Sequence, residues 1–226
     1  EAENRQYFID LVKKETGFDI EVISGEEEAR KTFLGILHEL DKGIHNFVAI
    51  DIGGGSTEFI CGRGSEILSR ISIDLGVVKL TERYIKSDPI LPSECASMGS
   101  EISEKIRKAS KKIVDTAGSI LVGTAGSITT LAAINQKMET YNPIRINNYI
   151  LNLASIKEIL LDLVSKSIKE RKTIKGLEPG REDIIVAGAA ILITIMEEMG
   201  HDSLVVSDYG LREGLIIDAY NKRCTN

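Results

Sequence analysis

Asp51-Ile52-Gly53-Gly54-Gly55-Ser56-Thr57-Glu58 lies between two apolar runs, Phe47-Val48-Ala49-Ile50 before it and Phe59-Ile60-Cys61 after it. Short runs of that composition read as buried strands. A plain hairpin between them needs only two turn residues. Three consecutive glycines do more: they strip side chains from the backbone, so its N–H groups can turn toward an anion. Ser56 and Thr57 add hydroxyl donors. Asp51, at the strand end, is a natural carboxylate for a metal or its water. Glu58 follows the loop and is expected to face the same cavity. The plainer alternative is a glycine-rich hairpin with capping side chains.

Working outward, Ile67 to Leu75 reads as a third strand, and the short connections demand antiparallel pairing. Helices are expected at Val77–Tyr84 and Pro92–Thr116, a strand at Ser119–Val122, and a helix from Gly126 through Ile134. Gln136 to Asn148 reads as loop. Leu153–Val164 and Arg181–Met199 read as helices, Ser203–Val206 as a strand, and Leu211–Tyr220 as a closing helix. Toward the N-terminus, Tyr7, Phe8, Leu11 and Val12 form a helical stripe over Glu1–Lys14, ended by Gly17. Phe18 to Ile23 alternates and is β-branched, so a strand is expected there. Ser24 is a good N-cap for a helix reaching about Leu40, with Glu26, Glu27 and Glu28 in its first turn, where the dipole favours acids. A three-strand meander followed by alternating helix and strand makes an α/β or α+β layer fold.

Two more glycine clusters sit at strand-to-helix junctions. Gly123-Thr124-Ala125-Gly126-Ser127-Ile128-Thr129-Thr130 follows an apolar strand. A glycine turn at a helix start presents unpaired N–H groups and the positive dipole end, so it reads either as a phosphate site or as simple capping. Ser207 to Gly214 repeats the arrangement; Asp208 is a candidate cap, and Arg212 reads equally as an anion ligand or a salt-bridge partner. Neither a Gly-Lys-Ser/Thr phosphate loop nor a GxGxxG fingerprint occurs. Phosphoanhydride hydrolysis needs a water, a positioned base and charge neutralisation on the phosphoryl oxygens. Two phosphate loops, Asp51 for a metal and an acid from Glu26–Glu28 would supply that set.

The 226 residues carry a net charge of −6, no Trp and 5% aromatics. Nucleic-acid and membrane-surface binding call for positive fields, and single-strand binding for aromatic platforms, so neither class is expected. No apolar run approaches the ~20 residues of a membrane helix. Cys61, Cys95 and Cys224 are far apart, and His38, His45 and His201 are scattered, so free thiols in a cytoplasmic setting are expected rather than a disulfide frame or zinc site. Ser165 to Lys175 holds Lys166, Lys169, Arg171, Lys172 and Lys175 against Glu170. It reads as a solvated helix end or as a local patch for an extended polyanion.

Ile20–Arg30, Asp51–Glu58, Leu75–Glu82, Gly123–Leu131, Arg181–Ala190 and Ser207–Gly214, in that order along the whole chain, resemble the exopolyphosphatase / guanosine pentaphosphate phosphohydrolase (Ppx/GppA) family. The resemblance implies an actin-like ATPase frame of two RNase H-like α/β domains, each a mixed sheet flanked by helices, with the site in the cleft between them. It implies magnesium-dependent release of terminal phosphate from polyphosphate, or of the γ-phosphate from guanosine pentaphosphate. Carried over, the catalytic glutamate that positions water matches Glu28, and the acid after the loop, Glu58, shares metal or water binding with Asp51. Gly53, Gly54, Gly55, Ser56 and Thr57 match the phosphate-cradling loop; Gly123, Gly126 and Ser127 match the later glycine turn. The family's opening Asp-Ile-Gly motif has no match. Residues 1–45 are therefore expected to be the end of a first domain and 46–226 a second, whose last helix packs back toward the first. On this reading the chain is a piece of something longer, holding half of the cleft and inactive alone. The expected partners are polyphosphate or guanosine pentaphosphate, with a homodimer left open. The alternatives are a non-catalytic sensor of such anions or an actin-like kinase or ATPase.

Overall fold

The computed structural model describes residues 4–40, 42–113 and 118–224. Two helices come first, α1 (Arg5–Thr16) and α2 (Gly25–Glu39). A meander follows: β1 (Asn46–Ile52), β2 (Thr57–Arg63) and β3 (Glu66–Ile73). Then come α3 (Val77–Tyr84), α4 (Pro92–Ser110), β4 (Ile120–Thr124), α5 (Ala125–Asn135), α6 (Pro143–Ile146), β5 (Tyr149–Asn152) and α7 (Leu153–Val164). The chain closes with α8 (Ile168–Arg171), α9 (Ile185–Met199), β6 (Ser203–Val206) and α10 (Leu211–Cys224).

One mixed sheet runs in the order β3-β2-β1-β4-β6-β5. β1–β2 and β2–β3 are antiparallel, β1–β4 and β4–β6 parallel, and β5 returns antiparallel to β6. This is the expected α/β frame. Its parallel strands β1, β4 and β6 end at one edge, where Asp51, Thr124 and Ser207 stand in or beside adjacent strands. In open α/β sheets that carboxyl edge is where ligands collect.

Alternation along the strands sorts side chains onto two faces. Val48, Ile50, Phe59, Cys61 and Leu121 join a large core with α3, α4, α5, α7 and α9. Phe47, Ala49, Ile60 and Val122 meet Ala29, Phe33 and Ile36 of α2 on the other face. There α2 and α10 cross at very short range. A Cβ on Gly35 would stand 2.1 Å from the Gly210 oxygen, and one on Gly214 1.8 Å from that of Lys31. The last helix thus lies on α2, the helix that carries Glu26–Glu28.

Most expected elements stand where periodicity put them, with several departures: α4 stops at Ser110, short of the expected Thr116, and the short α8 was not foreseen. Phe18–Ile23 is not a strand: alternation alone does not make one, the segment pairs with none of the six strands, and Phe18 and Val22 are exposed. β5 and α6 arise in and beside a stretch read as loop, being too short to show a period. α9 starts at Ile185, after a turn in which the N–H groups of Ile184 and Ile185 both bond the Arg181 carbonyl. α10 runs past Tyr220 to Cys224. The α1 stripe is solvent-facing, with no buried residue in that helix. The expected ends Glu1–Glu3 and 114–116, and the Cys224 side chain, lie outside the described residues. Among the described residues no helix is long and apolar enough to cross a membrane.

Candidate active site

Ser24 caps α2 as expected, its hydroxyl oxygen accepting the Glu27 N–H at 3.1 Å. Glu27 turns to Arg30 and Lys31, which hold its carboxyl well below the usual range. Arg30 continues to Asp218 of α10 at 2.8 Å. The Glu28 N–H bonds the Ser24 carbonyl at 2.9 Å, and its side chain is left exposed, with no hydrogen bond or ion pair to any described residue. Of the three glutamates, the middle one is a structural anchor and Glu28 is available for chemistry.

Asp51 and Glu58 are register partners across β1 and β2. Glu58 Oε1 accepts the Ser72 hydroxyl at 2.8 Å. Burial, and then the charges of Glu58 and Glu28, push the Asp51 carboxyl up to about 6. Asp51 thus feels the charge of both expected glutamates, its register partner Glu58 and Glu28 of α2. They do not form a closed cage: among the described residues no group of three or more His, Cys, Asp or Glu side chains is close enough to hold an ion. The donor set nonetheless suits Mg²⁺. It consists of hard carboxylate oxygens under like-charge stress that a cation relieves, and Mg²⁺ takes one or two carboxylates plus water and phosphate.

The glycine loop is tied to α3. The Gly53 N–H closes the turn onto the Ser56 oxygen at 2.9 Å, and the Gly53 and Gly54 carbonyls cap the N–H groups of Val77 and Val78 at 3.0 and 2.9 Å. Only glycine fits opposite: a Cβ on Gly76 would stand 2.3 Å from the Gly54 oxygen. Thr57 is fully buried, donating its hydroxyl to the Leu75 carbonyl at 2.6 Å. So the expected cradle of Gly53 to Thr57 shrinks. The Gly53 amide and Thr57 hydroxyl are consumed by the fold, while the N–H groups of Gly54, Gly55 and Ser56 meet no acceptor among the described residues.

The second glycine turn is corrected similarly. Gly123 is a packing glycine inside β4, where a Cβ would meet Leu204 at 2.4 Å and Ile128 at 2.8 Å. Ser127 is buried with its side chain against α9, 2.9 Å from where a Gly188 Cβ would be. Both sides of that contact are buried. Gly126 does line the cleft. Its missing side chain is where the Arg181 guanidinium sits, 2.0 Å from the position of a Cβ. Ala125 before it takes φ 69°, a left-handed kink uncommon outside glycine. The N-cap Thr124 makes no side-chain cap bond and donates instead to the Tyr209 carbonyl at 3.1 Å.

A cavity of about 600 Å³ opens here, with Asp51, Thr124, Gly126, Tyr141, Arg181 and Asp208 on its wall. Asp208 does not cap α10; it accepts the Tyr141 hydroxyl, while Glu213 accepts the Gly210 N–H at 2.9 Å. Burial and Asp208 raise the Tyr141 hydroxyl. Arg212 is exposed at the rim, 3.7 Å from Glu213. Sequence reasoning missed Arg181 and Tyr141. Arg181 opens the Arg181–Ala190 segment already matched to the family, and that was the signal for it.

The basic stretch does not form one surface. Arg171 is 1% exposed, its Nε on the Leu163 carbonyl at 2.7 Å and Nη1 on that of Glu182 at 3.0 Å. Lys166 pairs with Asp162 and Lys175 with Glu139.

The comparisons with known proteins agree on one family. The model of the Ppx/GppA phosphatase family matches residues 1–223. Exopolyphosphatase 2 of Mycobacterium tuberculosis (strain ATCC 25618 / H37Rv) is 33% identical over 205 residues, 89% of this chain, and the chain spans 64% of that relative's length. A bifunctional 3-dehydroquinate synthase/phosphatase of Fusobacterium nucleatum is 34% identical over 99% of this chain and 34% of its own. The crystal structure of the Aquifex aeolicus Ppx/GppA family member superposes with TM-score 0.86 at 33% identity, over 98% of this chain and 71% of that one. An exopolyphosphatase from Cytophaga hutchinsonii gives 0.85 at 30%, over 98% and 72%. With the family model matched along nearly the whole chain, the protein belongs to the Ppx/GppA phosphatase family.

Proposed function

We propose that this chain is the greater part of a phosphoanhydride hydrolase that releases terminal phosphate from inorganic polyphosphate. The observation that carries the reading is the meeting of Glu28, Asp51 and Glu58 at the sheet's carboxyl edge, beside the open amides of Gly54 to Ser56. Relatives named exopolyphosphatase support the choice of substrate. In the reaction, a water oxygen attacks the terminal phosphorus and the bridging P–O bond breaks. Glu28 orients the water and takes its proton. The open amides, with the Arg181 cation near Gly126, hold the phosphoryl oxygens and stabilise charge as it develops. Asp51 and Glu58 would hold Mg²⁺, which when bound neutralises phosphoryl charge.

Guanosine pentaphosphate is the second reading. The roughly 600 Å³ cavity, walled in part by Met138, Tyr141, Leu177 and Pro179, is large and apolar enough for a nucleoside. Because the chain spans about two-thirds of its relatives, we propose further that full turnover needs the remaining length. Phosphate release from long polyphosphate and from guanosine pentaphosphate, with and without Mg²⁺, is to be measured for this chain and for a version extended to the relatives' length. Glu28→Gln in the extended protein should lower turnover ~100-fold or more while binding persists. Unchanged turnover would remove Glu28 from the water-positioning role, binding without turnover by the extended protein would identify a sensor, and full activity of the present chain would refute the need for the extension.

A further inference from the structure

Lys79 stands at the rim of the glycine loop and has no part in the roles above. A Cβ on Gly55 would lie 3.5 Å from its Cε and 3.7 Å from its Nζ, so the ammonium rests over the loop. Lys79 is the third residue of α3, in the first turn, where aligned peptide dipoles disfavour a cation. Beneath it are the amides of Gly54, Gly55 and Ser56, which meet no acceptor among the described residues. Positive charge is thus gathered against the dipole preference, on a loop whose own N–H groups are open.

The ammonium pairs with Asp74 at 2.5 Å, and both side chains are largely exposed, at 51% and 71%. Lys79 holds the Asp74 carboxyl below the usual range. Lys105 reaches the same residue from α4, donating to its carbonyl at 2.5 Å and pairing with Glu101 at 2.8 Å. An exposed pair of this kind is weak. A phosphoryl group bearing more charge and three oxygens is a better partner for an ammonium than one carboxylate.

We propose that Lys79 is a substrate-binding cation of this site: its ammonium exchanges Asp74 for a phosphoryl oxygen of the polyanion seated on the amides of Gly54 to Ser56. This rests on the phosphoanhydride reading and adds to it a specific cation and the carboxylate that competes with the substrate. The two residues then have opposite signs. Removing Lys79 weakens the polyanion, whereas neutralising Asp74 strengthens it.

The test is calorimetric titration of this chain with inorganic triphosphate at low salt. The proteins are the unaltered chain, Lys79→Met, Lys79→Arg, Asp74→Asn and Lys157→Met. The last removes one positive charge from the pair with Glu197, outside the cleft wall. Lys79→Met is expected to weaken binding about tenfold, the scale of one charge-assisted hydrogen bond. Lys79→Arg should retain most of the affinity, Asp74→Asn should tighten binding about twofold or more, and Lys157→Met should leave it near the starting value. Equal affinities for Lys79→Met and Lys157→Met would overturn the inference while leaving the hydrolase reading intact. Weaker binding by Asp74→Asn would overturn the exchange. A chain that binds no triphosphate at all would overturn both the inference and the reading beneath it. Circular dichroism of each variant confirms that the fold is retained.

Discussion

Asp51 shows how position rewrites a side chain. Its folded value of about 6 lies above the ordinary 3.8, so the folded chain binds that proton more tightly than the unfolded one. Stability from this group is present at low pH and is lost as pH rises from about 4 through 6. At neutral pH the ionised carboxylate therefore costs the metal-free fold on the order of 2 kcal/mol. Asp51→Asn should raise the urea midpoint at pH 8 and leave it nearly unchanged at pH 4, while phosphate release by the extended protein disappears. A variant no more stable at pH 8 would contradict the assigned cost of burial and of the neighbouring like charges. Thr57 shows the converse, a polar residue wholly spent on the fold. Thr57→Val strands the Leu75 carbonyl in the interior and should cost about 1–2 kcal/mol in chemical denaturation.

At the scale of elements, two contacts hold the site's parts in place. α10 lies on α2 through Gly35 and Gly214, and α2 brings Glu28 near enough for its charge to act on Asp51. A methyl on Gly214 would collide with the Lys31 carbonyl at 1.8 Å, which main chain cannot easily yield. Gly214→Ala should destabilise by about 3 kcal/mol and push α10 off α2, read by urea titration and by faster amide exchange in both helices. On the other side, Arg171 joins the end of α7 to the Glu182 carbonyl, beside the turn that carries Glu178 and Arg181. Burial lowers its pKa, and its Nη2 has no partner among the described residues. Arg171→Ala would leave two carbonyls bare in the interior and should cost about 3 kcal/mol. Loss below 1 kcal/mol would mean that the turn is held by other contacts.

On the proposed reading, the whole molecule binds a polyanion while carrying a net charge of −6. That is physically consistent because charge is read locally. Arg181 and Lys79 flank the cleft and its loop, and the acids elsewhere repel extended polyanions that cannot enter. When a DNA duplex and triphosphate are offered together at physiological salt, the chain should retain triphosphate and no DNA in a gel-shift assay. Retention of the duplex would show that the surface, rather than the cleft, governs anion binding.

Local pattern alone was enough for much of this molecule. The apolar runs 47–52 and 203–206, the periods of Val77–Tyr84 and Leu153–Val164 and the Ser24 cap are properties of consecutive residues, and they stand as read. So do the order of the acids and glycines and the family resemblance they carry. What sequence could not supply is the direction a side chain takes and the partner it finds. Phe18–Ile23 alternates like a strand but pairs with no strand of the sheet, since pairing is a long-range event. Ser127 and Arg171 look like anion donors and instead turn inward, against α9 and main-chain carbonyls. The glycines divide the same way. Gly54 and Gly55 leave amides open, while Gly35, Gly76, Gly123 and Gly214 exist because another element passes too close for a side chain. Spacing along the chain determined which groups are present for phosphate chemistry. Packing, by deciding which amides and hydroxyls the fold itself consumes, determined which of them remain available for it.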